Sequence, residues 1–214
     1  MRSFALISQK GGAGKSTLTR SLAVLAGEDG PSYVVDRDPQ GSCREWFDRR
    51  QAGETAPEQP ELLDLGATKP ATALGRMKAK PGTVWFDTRP QVEEPEAEIA
   101  RAVDVVIVPV KPSIDDIKAV TGTLAMVQRL KIRPLIVVNA ARSPGRAIEA
   151  RAALSRYGYH ICPHHISDRT VFLDAAIEGR AAHEMRGAAA KAAGAELRNV
   201  WSWIQETINE QSAA

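Results

Sequence analysis

Only two cysteines, Cys43 and Cys162, stand in a chain of 214 residues. They are too few and too far apart for a disulfide framework, so a reducing, cytoplasmic setting is expected. Long apolar runs are missing too: none approaches the roughly 18 residues that suggest a membrane helix. The stretch Met1–Ser8 runs straight into glycines and a lysine without a small-residue cleavage site, so it reads as a first strand and not as a signal peptide. Charge of one sign is also lacking. With 28 Lys and Arg against 26 Asp and Glu the formal charge is +2, and composition alone identifies no nucleic-acid binder. No internal repeat is present, which excludes a solenoid. What is there is 43% apolar and 25% charged residues, enough to bury one sizeable core in a single domain over residues 1–214.

Short apolar runs alternate with stretches of helical period along the whole chain, the pattern of an α/β fold with a doubly wound, mostly parallel sheet flanked by helices. Strands are expected at Phe4–Ile7, Tyr33–Val35, Leu62–Leu65, Val84–Phe86, Val105–Val110, Leu135–Val138 and Tyr159–Cys162. Several are apolar without alternation, as strands covered on both faces should be. Helices are expected to begin near Ser16, Ser42, Ala71, Glu93, Ser113, Arg146 and Thr170, with a last one over 196–209. Ser42–Glu45 and Ser113–Asp116 have the spacing of capping boxes. The acidic, proline-containing stretches Glu54–Glu61 and Pro90–Glu98 read as surface loops, and the Ala/Gly-rich Gly187–Ala195 as a loose helix or a connector. Leu197, Val200, Trp201, Ile204 and Ile208 make one apolar stripe on the last helix. Its other face carries Glu196, Glu206 and Glu210 more than Arg198, so docking on the core is expected over membrane binding.

The first strand leads into Gln9-Lys10-Gly11-Gly12-Ala13-Gly14-Lys15-Ser16-Thr17 and then a helix. Strand, glycine loop and helix N-terminus make a phosphate cradle: the glycines let main-chain N–H groups turn inward, and the helix end adds partial positive charge. Gly11, Gly12, Ala13, Gly14, Lys15, Ser16 and Thr17 are the candidate nucleotide-binding residues. Lys15 is expected on the β and γ phosphates and Ser16 on Mg²⁺. The usual first glycine of the P-loop pattern is replaced by Gln9, and what stands is K-G-G-x-G-K-S.

At these residues the chain resembles the ParA/MinD class of deviant P-loop ATPases, which that extra lysine defines. The resemblance gives Lys10 the role of reaching a partner subunit's phosphates in a nucleotide-dependent homodimer. The next strand ends in Asp36-Arg37-Asp38-Pro39-Gln40-Gly41 and is followed by Trp46, similar to the element that marks the ParA branch. By that resemblance Asp38 belongs to the Mg²⁺ shell and places the attacking water, with Asp36 in support. Val84–Phe86 closing on Asp87 has the Walker B arrangement, but Arg89 departs from the family's prolines or glycine. Val137-Val138-Asn139 matches where relatives present an asparagine to adenine. Arg169, after Cys162-Pro163-His164-His165, matches an arginine that ParA proteins need for DNA.

Residues 142–198 hold nine Lys and Arg against six Asp and Glu, a patch suited to weak, salt-sensitive phosphate contact. Arg146, Arg169, Arg180 and Lys191 are its candidate DNA-binding residues. Cys162 with His164 and His165 lacks the ligands of a zinc site, and an iron–sulfur reductase would need two cluster cysteines after the Val84–Asp87 strand, where only Cys162 stands. Met1 stands nine residues before Lys10, leaving no room there for an operator-binding helix-turn-helix.

The resemblance implies a ParA-type partition ATPase with ATP and Mg²⁺ as cofactors. Its expected partners are a second copy, nonspecific DNA and a cargo-bound ParB-like stimulating protein, with no membrane contact. Two other readings stand beside it. One is an ATP-dependent synthase of the cobyrinate-diamide or dethiobiotin type. The other is a ParA-like positioning ATPase for a non-DNA cargo.

Overall fold

The computed structural model describes residues 1–53 and 57–213; part of the loop expected at Glu54–Glu61 therefore lies outside the described residues. Among these, seven strands form one sheet: β1 (Arg2–Leu6), β2 (Ser32–Asp36), β3 (Glu61–Leu62), β4 (Thr83–Asp87), β5 (Val105–Val110), β6 (Leu135–Ala141) and β7 (His160–Ser167). The spatial order is β3-β2-β4-β1-β5-β6-β7, and every neighbouring pair is parallel. Eight helices are described: α1 (Lys15–Asp29), α2 (Ser42–Gln51), α3 (Pro70–Met77), α4 (Glu94–Ala102), α5 (Ile114–Arg129), α6 (Pro144–Ser155), α7 (Val171–Ile177) and α8 (Ala188–Ala213). Because β1 lies between β4 and β5, the winding direction reverses beside it. The ligand crevice of such a sheet opens at that carboxyl end.

The two-residue period of the strands sorts the core into two layers. Phe4, Leu6, Val34, Trp85, Ile107 and Val137 pack with Leu18 and Leu22 of α1 and with Leu197, Val200 and Ile204 of α8. Their neighbours Ala5, Val35, Phe86, Val106, Val108 and Val138 pack on the other face with residues of α4, α5 and α6. Phe4 stacks on Trp85 at 4.2 Å, and Trp201 of α8 meets both rings at 5.6 and 5.4 Å. The stripe expected on the last helix is thus docked on the sheet, at about 1.5–3 kcal/mol for each large side chain buried.

Several expected boundaries move. The last helix starts at Ala188, not 196, because Ala190 and Ala193 are buried beside Val171 and Ala182 and their methyl groups extend the apolar stripe. Strand β7 runs on to Ser167 through Pro163, which an edge strand tolerates because one side needs no donor. Its pairing with β6 shifts register after Ile136 and again after Val138. Edge strand β3 is only two residues long. Helix α4 begins at Glu94, as the expected start near Glu93 has it, with a capping box between Glu93 and Glu96, so the loop expected over Pro90–Glu98 ends at Glu93. Helix α6 begins at Pro144, and Ser143 Oγ accepts from Arg146 N.

Ser113 caps α5 as its spacing predicts, whereas Ser42 does not cap α2. The N-cap there is Gly41, in the left-handed region, and Asp36 at the end of β2 takes the N–H groups of Cys43 and Arg44 at 2.9 Å each. An acceptor delivered by the strand replaces the local hydroxyl.

Candidate functional site

Between the end of β1 and Lys15 the chain makes a loop in which Gly12 (φ 73°) and Gly14 (φ 94°) are left-handed, a conformation that costs glycine little. No side chain caps α1, so the N–H groups of its first turn remain for an anion. Lys15 is buried, and its Nζ donates to the carbonyls of Ser8 at 3.2 Å and Lys10 at 3.4 Å. Its ammonium is thereby stretched across the loop. Burial lowers its pKa, while Asp87, Asp38 and Glu96 oppose that shift by their charge. The Lys10 side chain is exposed and enters no ion pair among the described residues.

Asn139 is buried and its Nδ2 donates to Ala13 O at 2.8 Å. The amide expected at a base edge is turned to the loop backbone, and a Cβ on Gly14 would overlap it. Beside the loop lies Lys111, whose Nζ is the nearest atom to a Cβ built on Gly12, at 3.9 Å. No motif in the sequence marks this lysine; it reaches the loop because β5 runs beside β1.

Two strand ends set the carboxylates. Asp36 and Asp87 are register partners on β2 and β4, so parallel pairing alone brings them level. Asp87 is fully buried and pushed up to about 6 by that burial, with the Ser16 hydroxyl pulling the other way and Asp36 adding to the rise. Its Oδ2 accepts from the Cys43 thiol at 3.3 Å, and its buried Oδ1 has no partner. Candidate ligand atoms of Asp36, Cys43 and Asp87 lie within 4.8 Å of one another.

Both Asp36 oxygens are occupied by backbone donors, Oδ1 by Asp38 N at 3.0 Å and Oδ2 by the α2 N-terminus. Asp38 accepts from Gln40 N and lines a neighbouring crevice of about 360 Å³ with Arg37, Pro70, Arg89 and Pro95. The structure therefore gathers Ser16, Cys43, Asp36 and Asp87 in one place and sets Asp38 beside them.

A phosphate chain with Mg²⁺ fits this arrangement on three observations: left-handed glycines, an uncapped helix start, and a buried aspartate oxygen without a donor next to a serine hydroxyl. Lys15, Ser16 and Asp87 are the residues placed to hold it.

Arg89 is held by α4. It forms a two-armed pair with Glu96 of α4 at 2.8 and 3.0 Å, and Glu96 is 1% exposed. A second buried pair escaped sequence reasoning: Arg50 of α2 binds Glu184 at 2.7 and 2.8 Å and the carbonyls of Gly179 and Gln59, with its guanidinium over Trp46. Partners 134 residues apart leave no local signal.

The candidate DNA-binding residues sit on different elements, and three are already paired. Arg169 binds Glu196 at 2.7 Å, Arg146 binds Glu149 at 3.2 Å, and Arg180 lies 3.7 Å from Glu178. Lys191 of α8 is exposed. Arg146, Arg169 and Arg180, three of the nine basic side chains counted over 142–198, are thus engaged by acids of the same segment, so the excess is carried by other residues. No helix among the described residues is long and apolar enough to cross a membrane.

The CobQ/CobB/MinD/ParA nucleotide binding domain family matches residues 4–181. The chain is 25% identical to the maintenance of carboxysome distribution protein A of Halothiobacillus neapolitanus, over 92% of this chain and 93% of that one. It is 28% identical to the protein of the same name from Gloeobacter kilaueensis, over 93% and 92%. Among solved structures, a putative plasmid partition protein of Borrelia burgdorferi bound to AMPPNP superposes with a TM-score of 0.76 at 16% identity, covering 96% of this chain and 99% of the other. That likeness is one of fold.

Proposed function

Because the chain belongs to the CobQ/CobB/MinD/ParA nucleotide-binding family, we propose that it is an ATPase that positions a large cargo by pairing with a second copy of itself when ATP is bound. The observation that carries this reading is the position of Lys10: an exposed ammonium at the mouth of a phosphate cradle whose own lysine, Lys15, is already inside. A single subunit has no acidic partner for Lys10 among its described residues, whereas a second subunit's triphosphate would supply one.

In this reading Lys15 exchanges the Ser8 and Lys10 carbonyls for phosphate oxygens, and the N–H groups of residues 11–17 take the rest. Ser16 Oγ and Asp87 Oδ1 would hold Mg²⁺, whose charge would offset the negative charge that develops on the phosphates. Asp38, on the crevice side, orients the water that attacks the γ-phosphorus. ADP leaves with the bridging oxygen, and inorganic phosphate is released. Turnover resets a switch, so it is slow until a partner protein speeds it.

The curated relatives are named for distributing carboxysomes, which favours a protein assembly over a plasmid as cargo. The plasmid-partition expectation rests on the D-P-Q-G turn and on likeness of fold. In either case DNA serves as the track, gripped weakly by Lys191 and by arginines such as Arg146, Arg169 and Arg180 that exchange acidic partners for phosphates.

The test is DNA retention with ATP, with ADP and without nucleotide. Retention with ATP alone, lost between about 50 and 200 mM salt, is expected. Equal retention in all three states would overturn the proposal.

A further inference from the structure

Cys43 sits in the first turn of α2, with no exposed surface. Its backbone N–H donates to Asp36 Oδ2 at 2.9 Å, and its thiol donates to Asp87 Oδ2 at 3.3 Å. Its sulfur also approaches Ser16 O, at 3.9 Å. One residue thus touches the end of β2, the end of β4 and the first turn of α1, the three segments whose carboxylates and hydroxyl surround the proposed metal position. An ionised carboxylate only accepts hydrogen bonds, so the thiol proton fixes the direction of this contact. The two Asp87 oxygens then divide: Oδ2 is taken by sulfur, and Oδ1 is buried without a donor.

We propose that Cys43 is a positioning residue for the metal: its S–H holds Asp87 Oδ2 and so turns Oδ1 toward the Mg²⁺ that accompanies the nucleotide. This rests on the reading of Asp87 as a metal-holding residue given above. A thiol suits the task because it is a weak donor. It orients the carboxylate while leaving most of the negative charge for the cation. Orientation through an outer contact is common at metal sites, where losing the outer partner typically costs about 10- to 100-fold in affinity.

Cys43→Ala and Cys43→Ser both remove the sulfur and leave similar space, and differ in whether a donor remains. The experiment titrates magnesium chloride against a fluorescent ATP analogue bound to each variant, with a parallel titration of the analogue in EDTA. Wild type is expected to bind the analogue more tightly with magnesium. Cys43→Ala should need about tenfold more magnesium for half-saturation with its affinity in EDTA unchanged, and Cys43→Ser should stay within about threefold of wild type.

An equal shift in Ala and Ser would overturn the proposal, because space and not the donor would be responsible. No shift in Ala would overturn it as well. A wild-type protein indifferent to magnesium would instead overturn the reading of Asp87, and the proposal with it. Should Cys43→Ala fail to fold, Cys43→Val against Cys43→Thr gives the same comparison, since they share a shape and differ in the hydroxyl.

Discussion

Arg89 and Glu96 are locked face to face: Nε and Nη2 of the arginine each bind one carboxylate oxygen, and Glu93 N donates to the same Oε2 at 3.3 Å. The segment following Asp87 is thereby tied to the first turn of α4, across the crevice from Asp38. Removing the arginine strands a carboxylate that is 1% exposed. Arg89→Ala is expected to lower stability by about 3 kcal/mol, the lower end for a broken buried pair because Arg89 keeps some solvent contact. Adding Glu96→Gln should recover part of it. Denaturant melts of the two variants check this, and a double variant no better than the single would contradict it.

Lys15 and Asp38 should fail differently. Lys15→Ala removes the ammonium that spans the loop and is expected to abolish ATP binding in calorimetry. Asp38→Ala leaves the cradle intact, so ATP should bind within a few-fold of wild type while turnover falls by about 10²-fold or more, the scale of losing general-base or water-positioning help. Loss of binding in Asp38→Ala would place that carboxylate in the cradle and not beside it.

Gly14 carries a double constraint, a φ of 94° and the Asn139 amide where a Cβ would stand. Gly14→Ala is expected to lose nucleotide binding, and pairing it with Asn139→Ala should not restore it, because the added space leaves the backbone conformation still unfavourable for alanine. Full restoration would show that crowding was the whole constraint.

His183 gives a pH dependence. Its side chain is 4% exposed, its ring nitrogens have no hydrogen-bond partner, and Nε2 lies 3.5 Å from Glu28. Burial lowers its pKa, opposed by Glu184 and Glu28 and assisted by Arg198 and Arg50. The unfolded chain therefore takes up this proton first as pH falls, so stability is lost on acidification through about 6.5. Asp87 works in the opposite sense below about 6, where the folded protein without metal takes the proton first. The difference isolates the histidine: Tm of wild type should fall more steeply than that of His183→Gln between about pH 7.5 and 6. Parallel curves would contradict the assignment.

Much of the fold was legible because β4, β5 and β6 are apolar on both faces and the glycine loop directly follows β1. The P-loop residues could be found because their chemistry depends on spacing along the chain. What escaped was set by contacts across the sheet. Asp36 reaches the α2 N-terminus from a strand, so the Ser42–Glu45 pattern pointed to the wrong cap. Cys43 meets Asp87 only because β2 and β4 are aligned, a contact with no signal along the chain. The basic count over 142–198 carries no pairing, so the contacts of Arg169 with Glu196 and Arg146 with Glu149 come from the fold; the alanine-rich 187–195 leaves helix and connector open, and burial of Ala190 and Ala193 decides for the helix.

Sedimentation velocity with ATP and magnesium, on wild type and on Lys10→Ala, tests the central claim most directly. The account predicts a dimer for wild type with ATP, a monomer with ADP, and a monomer for Lys10→Ala in both states while its ATP affinity is retained. A Lys10→Ala protein that dimerises with ATP as wild type does would contradict it.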